Sequence, residues 1–172
     1  MSLRVLLSEE QIQARVREMG AQISRDYPQG NLHLICILKG ACFFMTDLAR
    51  ALGREAFVDF MGISSYGKGT TTSGEVKVTK DLDFSVEGAD LLIVEDIVDS
   101  GVTLSYLIHL LEQRKPRSIR VAALLDKPDR RKRPVQVGYV GFSIPDEFVV
   151  GYGLDYAERY RNLRDICILD GQ

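Results

Sequence analysis

The apolar positions of this chain form short continuous runs that alternate with stretches of helical spacing. After Ser8, apolar residues recur every three or four positions, Gln11 completes a capping-box pattern, and the predicted helix ends before Pro28. Further helices are predicted at about 43–52 and 103–114, and strands at 32–38, 57–63, 75–80, 91–94, 119–125, 135–142, 149–150 and 166–169. This alternation predicts an α/β fold with a mostly parallel central sheet flanked by helices.

The chain contains no internal repeat and no linker rich in proline, glycine or serine, so residues 1–172 are predicted to form a single domain. In α/β sheets, ligands bind beyond the carboxyl ends of the parallel strands. We therefore expect the chemistry in the loops that follow Leu38, Val94 and Leu125.

Composition and charge are those of an ordinary globular protein, with 45% hydrophobic and 27% charged residues. The formal net charge of −2 provides no general basic field, so neither nucleic acid nor a membrane is expected as a partner. A polyanionic substrate would have to be met locally by a few cations, by backbone amides or by a metal ion. Because neither a signal-peptide pattern nor a long apolar stretch is present, we expect a cytoplasmic protein.

The cysteines and histidines show no spacing that is typical of a metal site or a nucleophile. Cys36, Cys42 and Cys167 form no C-x-x-C pair, and we interpret them as small apolar residues in a reducing compartment. His33 lies in a predicted strand and His109 in a predicted helix, and we interpret both as structural or surface residues.

The most informative stretch is 91–103, Leu-Leu-Ile-Val-Glu-Asp-Ile-Val-Asp-Ser-Gly-Val-Thr. A buried strand delivers the carboxylates of Glu95 and Asp96 to its carboxyl edge, and Asp99 follows three residues later. A glycine then allows close approach of a ligand at the start of a helix, whose N–H groups bind anions. The pattern predicts a phosphomonoester site beside acids that suit sugar hydroxyls or Mg²⁺. The alternative is a capped helix with solvated acids.

These thirteen residues resemble the phosphoribosyl pyrophosphate signature of the type I phosphoribosyltransferases. The resemblance implies that Glu95 and Asp96 hold the ribose 2- and 3-hydroxyls and the Mg²⁺ shell, and that Asp99 lies near purine N7 as a general acid or base. Mammalian relatives carry a lysine at the position of Val102, so phosphate binding here would rely on backbone and hydroxyl donors. The 5-phosphate cradle implied by the family consists of Asp99, Ser100, Gly101, Val102 and Thr103.

A second motif, Lys39-Gly40, follows the first buried strand. In the resembling enzymes this loop binds pyrophosphate through backbone N–H groups and has a cis peptide bond before the lysine. From the residues alone, an ordinary glycine turn with a solvated lysine remains an alternative.

Ser65-Tyr66 begins a small polar loop that extends over about 64–75. Such residues cannot pack a core, so the loop should be mobile. In the family a Ser-Tyr pair begins a flexible lid, which would exclude water from the reacting centre. A passive surface hairpin is the alternative.

Lys127 follows the strand that ends at Asp126. In the family a cation at this position donates to purine O6 and so distinguishes 6-oxopurines from adenine. Taken alone, a lysine that is followed by the basic run 130–133 is typical of a solvated basic turn.

The segment 144–156, followed by Arg161, is very similar to the C-terminal segment of the hypoxanthine-guanine phosphoribosyltransferases, which contributes to a small hood. This similarity implies that Phe148 stacks on the purine and that backbone groups of Val149 read the purine edge. It also implies that Asp155 binds a second Mg²⁺ and that Arg161 binds pyrophosphate. By strand spacing alone, Phe148 and Val149 would be core residues, and Asp155 with Arg161 a surface pair.

The resemblance extends from about Leu34 to Leu169 and implies a Mg²⁺-dependent enzyme of purine salvage. It would transfer the 5-phosphoribosyl group of phosphoribosyl pyrophosphate to N9 of hypoxanthine, and of guanine, giving IMP or GMP and pyrophosphate, as a homodimer or homotetramer. Two alternatives remain open. One is a xanthine or guanine specialist that differs in what contacts purine C2. The other is an RNA-binding regulator with the same fold, which would need a basic face and salt-sensitive binding.

Overall fold

The structure of the chain is a computed structural model that describes residues 1–65 and 76–171. The helices of this described part are α1 (Glu9–Asp26), α2 (Cys42–Ala51) and α3 (Val102–Glu112), with one short 3-10 turn at Pro128–Arg130. The strands are β1 (Ser2–Leu7), β2 (Leu32–Leu38), β3 (Phe57–Ser65), β4 (Val76–Lys80), β5 (Asp90–Val98), β6 (Ser118–Asp126), β7 (Tyr139–Ser143), β8 (Val149–Val150) and β9 (Ile166–Asp170).

Six of these strands form the main sheet, in the order β4-β3-β2-β5-β6-β7. The pairs from β3 to β7 are parallel, and only β4, at one edge, runs antiparallel to its neighbour. The predicted α/β fold with a mostly parallel central sheet is confirmed. The carboxyl ends of β2, β5 and β6 therefore meet at one edge of the sheet, where the sequence placed its three candidate loops.

Helices cover both faces of the main sheet, because its central strands are apolar on both sides. On one face α1 and α2 pack against Leu34, Leu92 and Val94, and on the other α3 packs against Ile35 and Ile93. The predicted capping box at the start of α1 is present: Gln11 N–H donates to Ser8 Oγ at 3.2 Å, and Ser8 N–H donates to Gln11 Oε1 at 2.8 Å.

A second, three-stranded antiparallel sheet has the order β1-β9-β8 and forms the small hood that was expected from the C-terminal segment. Strand β1 was not predicted. Its residues are mostly exposed and its partner lies at the other end of the chain, with Ser2 opposite Asp170, so no local pattern marks it. Val150, Cys167 and Leu169 form the small core of this sheet.

Strand β5 is longer than predicted and does not end at Val94. The neighbouring β6 continues to Asp126, and the two strands pair as far as Val98 opposite Asp126. Glu95 and Asp96 therefore lie within the end of the strand, not in a loop after it. Strand β7, by contrast, begins four residues later than predicted, at Tyr139.

The cysteines and histidines occupy core or surface positions, as the sequence indicated. Cys36 and Cys167 are buried and Cys42 is half-buried, all as free thiols. His33 is buried within the sheet, and His109 lies on the exposed side of α3. The predicted lid at 64–75, including Tyr66, lies almost wholly outside the described residues. None of the described helices is both long and apolar enough to cross a membrane.

Candidate active site

The carboxyl ends of the parallel strands open onto a cavity of about 290 Å³. This cavity lies where β2 and β5 end and α3 begins, which is the edge of the sheet that the sequence indicated. Its apolar lining comes from strand ends such as Leu38, and its polar lining consists of Glu95, Asp99, Ser100, Gly101 and Thr103. The motif of residues 91–103 therefore folds around a single cleft.

The loop between β5 and α3 places backbone N–H groups beside this cavity. Gly101 has a φ of +81° and is the N-cap of α3. A Cβ at this position would lie 2.7 Å from the carbonyl oxygen of Arg133, so glycine is required by both conformation and space. Among the described residues, no acceptor is present for the N–H groups of Gly101 and Thr103. Open amides at the positive end of a helix form an anion site.

Glu95 and Asp96 are adjacent near the end of β5, but they have different neighbours. Glu95 lines the cavity on the side of α3, whereas Asp96 lies against Gly40. Burial and the neighbouring Asp96 raise the pKa of Glu95 well above its ordinary value. Burial raises the pKa of Asp96 to about 6, although backbone N–H groups and Arg161 act in the opposite direction. The two half-buried carboxyl groups are adjacent in the chain, and carboxylate oxygens are ligands that a divalent cation prefers.

The loop after β2 packs directly against Asp96. A Cβ on Gly40 would overlap the Asp96 carboxylate, and a Cβ on Gly153 would overlap the Gly40 carbonyl oxygen. The peptide bond between Leu38 and Lys39 is cis, as the family resemblance implied. The Asp96 side chain and the backbones of the Gly40 and Gly153 segments thus meet here, with no room for side chains at the two glycines.

A single carboxylate connects the two cations at this end of the site. Glu158 accepts hydrogen bonds from Lys39 Nζ and from Arg161 Nη2, each at 3.1 Å. Arg161 also donates to the Gly153 carbonyl oxygen at 2.7 Å, and its Nη2 lies 3.5 Å from Asp155 Oδ1. Lys39 and then Arg161 lower the pKa of the Glu158 carboxyl group. The Lys39 and Glu158 side chains are 68% and 62% exposed, so their ion pair is weak. Another anion could therefore replace Glu158 as the partner of Lys39.

A second charge network extends from Lys127 to Asp99. Lys127 is only 8% exposed, and its Nζ lies 3.5 Å from Asp146 Oδ1. Arg130 then bridges two acids: its Nη1 donates to Asp146 Oδ2 at 3.3 Å, and its Nε donates to Asp99 Oδ1 at 2.8 Å. Lys127 is therefore buried beside an acid and is not part of a solvated turn.

Phe148 and Val149 have different surroundings although they are neighbours in the chain. The Val149 side chain is buried in the main core, as strand spacing suggested. The Phe148 ring is 42% exposed and meets the Tyr156 ring edge-on, with centroids 5.7 Å apart and planes at 90°. The core alternative is therefore wrong for Phe148, whose ring is accessible to a flat ligand.

The phosphoribosyl transferase domain family matches residues 5–157 of the chain. The chain belongs to the phosphoribosyltransferase family. It is 55% identical over 166 residues to the hypoxanthine-guanine phosphoribosyltransferase of Bacillus subtilis strain 168, covering 96% of this chain and 92% of that protein. It is also 55% identical over 172 residues to the enzyme of the same name from Mycobacterium tuberculosis strain H37Rv, covering 96% of this chain and 85% of that protein.

Solved structures of phosphoribosyltransferases have the same fold. A hypoxanthine phosphoribosyltransferase from Staphylococcus aureus superposes with a TM-score of 0.94 at 50% identity, covering 96% of this chain and 90% of that one. The type I phosphoribosyltransferase fold and the enzyme class that the motif at 91–103 implied are therefore confirmed.

The phosphoribosyltransferase fold brings the candidate residues together in three groups. Glu95 and residues 99–103 line the cavity, Lys39 and Gly40 lie with Asp155 and Arg161 around Asp96, and Lys127 lies in the charge network that ends at Asp99. No group of three or more acids, histidines or cysteines that could hold a metal ion occurs within the described residues.

Sequence reasoning missed three residues that organise this phosphoribosyltransferase site. Glu158 connects the two cations Lys39 and Arg161, and Arg130 and Arg131 contact Asp99. The arginines belonged to a basic run that also suited a solvated turn. Their acidic partner lies about thirty positions earlier in the chain, so no local signal could have revealed the pairing.

Proposed function

We propose that this phosphoribosyltransferase transfers the 5-phosphoribosyl group of phosphoribosyl pyrophosphate to N9 of hypoxanthine and guanine. The observation that carries the proposal is the cavity lined both by Glu95 and by Gly101 and Thr103, whose backbone N–H groups have no acceptor among the described residues. A sugar phosphate needs such a pairing, because its phosphate is an anion and its hydroxyls are hydrogen-bond donors. The names of the relatives from Bacillus subtilis and Mycobacterium tuberculosis support the choice of purines.

The 5-phosphate would bind in the loop 99–103, through backbone amides and the hydroxyl groups of Ser100 and Thr103. Val102 contributes no charge there, and its backbone N–H donates to Ser100 Oγ at 3.3 Å within the loop. The ribose hydroxyls would bind the carboxylates of Glu95 and Asp96. These two acids lie at the end of a rigid central strand, which fixes the sugar relative to the phosphate loop.

The acids also fit a Mg²⁺ ion. Carboxylate oxygens are its preferred protein ligands, and Mg²⁺ often takes only one or two of them, together with water and substrate phosphate. A third carboxylate, that of Asp155, lies near enough to Asp96 to raise its pKa. We propose that Glu95 and Asp96 hold one Mg²⁺ and Asp155 a second. When bound, the metal would neutralise charge on the pyrophosphate.

The departing pyrophosphate would bind at Lys39, Gly40 and Arg161. Gly40 has no side chain, so the pyrophosphate would approach its backbone closely beside Asp96. Arg161 is held in place by the Gly153 carbonyl oxygen, and its other contacts are to acids. These groups would stabilise the charge that develops on the leaving group as the bond to ribose C1 breaks.

The purine would lie between Phe148 and Lys127. Phe148 offers a ring that Tyr156 holds edge-on, and stacking of this kind contributes about 0.5–1.5 kcal/mol beyond burial. The ammonium group of Lys127 would donate to purine O6, and the backbone of Val149 would read the purine edge. Asp99 would take up or share the N7 proton while N9 attacks C1.

Catalysis on this scheme is positional and electrostatic, and no nucleophilic side chain is required. Closure of the loop that begins at Ser65 and Tyr66 would exclude water from the sugar at its reactive stage. We further propose that the chain acts in the cytoplasm as one domain and as a homodimer or homotetramer. Light scattering of the purified protein would give the oligomeric state.

The decisive experiment is a purine panel. Hypoxanthine, guanine, xanthine and adenine would each be incubated with phosphoribosyl pyrophosphate, with and without Mg²⁺, and nucleotide formation would be followed. We expect IMP and GMP to form only with Mg²⁺, and AMP not to form because the 6-amino group would oppose Lys127. Product from adenine, or turnover after complete chelation of the metal, would contradict the proposal.

A further inference from the structure

We infer that Arg131 is a positioning residue that aims the amides of the 5-phosphate loop into the cavity. The inference rests on the proposed function, which gives loop 99–103 the 5-phosphate of the substrate. It adds Arg131 to the functional residues, although this side chain would not touch the substrate. In the sequence, Arg131 stands out only as a member of the basic run 130–133.

The guanidinium group of Arg131 joins two elements of the site. Its Nη1 donates to the carbonyl oxygen of Asp99 at 2.7 Å, and its Nη2 donates to Asp126 Oδ1 at 2.6 Å. The two side chains are only 19% and 11% exposed, so this ion pair is largely shielded from water. Charge-assisted hydrogen bonds in such surroundings are short and strong. Arg131 therefore ties the loop after β5 to the last residue of β6.

The contact belongs to a pattern that occupies every carbonyl oxygen of the loop. From residue 98 to residue 101, each carbonyl oxygen accepts a hydrogen bond from another part of the protein. The Val98 carbonyl accepts from Lys127 N–H, and the Asp99 carbonyl accepts from Arg131 Nη1. The Ser100 carbonyl accepts from the N–H groups of Lys132 and Arg133, and the Gly101 carbonyl accepts from Ser105 N–H. Only one of these donors is a side chain. With the carbonyl oxygens engaged in this way, an anion in the cavity meets the opposite, positive ends of the peptide dipoles.

The stem of Arg131 also packs on the loop. A Cβ at Gly101 would lie 3.0 Å from Arg131 Cδ, so the aliphatic part of the side chain supports the glycine whose amide is open. Lysine could not replace these contacts, because one ammonium group cannot reach both acceptors in the way that a planar guanidinium does.

The test compares Arg131→Ala and Arg131→Lys with wild type and with Arg133→Ala. Arg133→Ala is a matched control, since it removes a charge from the same segment and keeps the backbone N–H that donates to Ser100. Binding of ribose 5-phosphate and of Mg²⁺-pyrophosphate would be measured by calorimetry, together with kcat and KM. We expect Arg131→Ala to weaken ribose 5-phosphate binding about tenfold to a hundredfold, Arg131→Lys to restore little of it, and Mg²⁺-pyrophosphate binding to stay within about twofold.

A second variant separates positioning from stability. Arg131→Ala leaves Asp126 buried without its partner, which alone could destabilise the protein. In the double variant Arg131→Ala/Asp126→Asn that charge is gone, so its thermal stability should recover while ribose 5-phosphate binding stays weak. Recovery of ribose 5-phosphate binding in the double variant would overturn the inference, as would wild-type binding by Arg131→Ala. Failure of wild type to bind ribose 5-phosphate or to form nucleotide would instead contradict the proposed function.

Discussion

Gly40 lies so close to Asp96 that a Cβ at position 40 would overlap the carboxylate of that acid. The loop proposed for pyrophosphate and the acid proposed for ribose and metal are thus in direct contact. A change in one displaces the other, although the two residues lie 56 positions apart in the chain.

We predict that Gly40→Ala strongly impairs the use of phosphoribosyl pyrophosphate. The added methyl group must push Asp96 aside, and overpacking of this kind costs about 1–3 kcal/mol. If the added methyl group destabilises the complex with phosphoribosyl pyrophosphate by this amount, kcat/KM for that substrate should fall about tenfold to a hundredfold. Steady-state kinetics with this substrate varied would measure the loss.

The control for this variant is Gly53→Ala. Residue 53 has no positive φ, and a Cβ there would meet only Ser24 Oγ, at 3.8 Å. We expect its kinetics to match wild type. Equal kinetics in Gly40→Ala would mean that Asp96 moves freely and that its contact with Gly40 has no functional consequence.

Glu158 occupies the two cations that we propose for pyrophosphate, so it should compete with the substrate. Glu158→Gln keeps the size of the side chain and removes its charge, which frees Lys39 and Arg161. We predict a KM for phosphoribosyl pyrophosphate that is about two- to fivefold lower than in wild type, since exposed ion pairs are weak. Release of pyrophosphate should slow by a similar factor.

A suitable control is Glu112→Gln, because Glu112 lies at the far end of α3, where its partner is the exposed imidazole of His109, 3.9 Å away. It removes the same charge without touching the site. If Glu158→Gln raised the KM, Glu158 would be a positioning residue for Arg161 instead of a competitor.

The sequence predicted those parts of the site whose residues lie close together in the chain. Residues 91–103 carry strand, acids, glycine and helix start in one stretch, and these residues form a single cleft because their neighbours in the chain are also their neighbours in space. Glu95 was found for this reason, although the end of its strand was misjudged. The paired strand β6 determines how far β5 extends, and that pairing is not visible in the residues of β5.

Contacts between distant segments could not be predicted from one sequence. Strand β1 is defined only by its pairing with β9, and Arg131 gains its role only when the chain returns to Asp99 after 32 residues. Taken alone, the sequences of β1 and of the segment around Arg131 are typical of ordinary protein surface, where charged residues are common.

His33 should make stability depend on pH. It is 3% exposed, and within the described residues neither ring nitrogen has a hydrogen-bond partner. Burial lowers its pKa, against a smaller opposing effect of Asp59. As the pH falls below about 6.5, the unfolded chain binds a proton before the folded one does, so stability is lost by up to about 1.4 kcal/mol per pH unit.

Urea unfolding at pH 7.5 and pH 5.5 would measure this effect. In His33→Leu the loss should shrink relative to wild type, because leucine cannot be protonated. His109→Gln, at an exposed position of α3, should behave as wild type does. An identical pH dependence in wild type and His33→Leu would show that the buried imidazole does not control it.

Asp99 is the residue on which the proposed proton transfer depends, and its geometry permits a clean test. Its carboxylate accepts a hydrogen bond from Arg130 Nε at 2.8 Å, and an asparagine Oδ1 could accept the same bond. Asp99→Asn should therefore preserve the loop and the binding of phosphoribosyl pyrophosphate, while turnover falls by about 10²- to 10⁴-fold. Arg130→Met removes the ion pair and keeps the acid, so it should retain most of the turnover. If Asp99→Asn turned over at the wild-type rate, Asp99 would have no acid or base role. If substrate binding fell in parallel with turnover, the carboxylate would serve to shape the loop, and the proton of purine N7 would have to leave through another group.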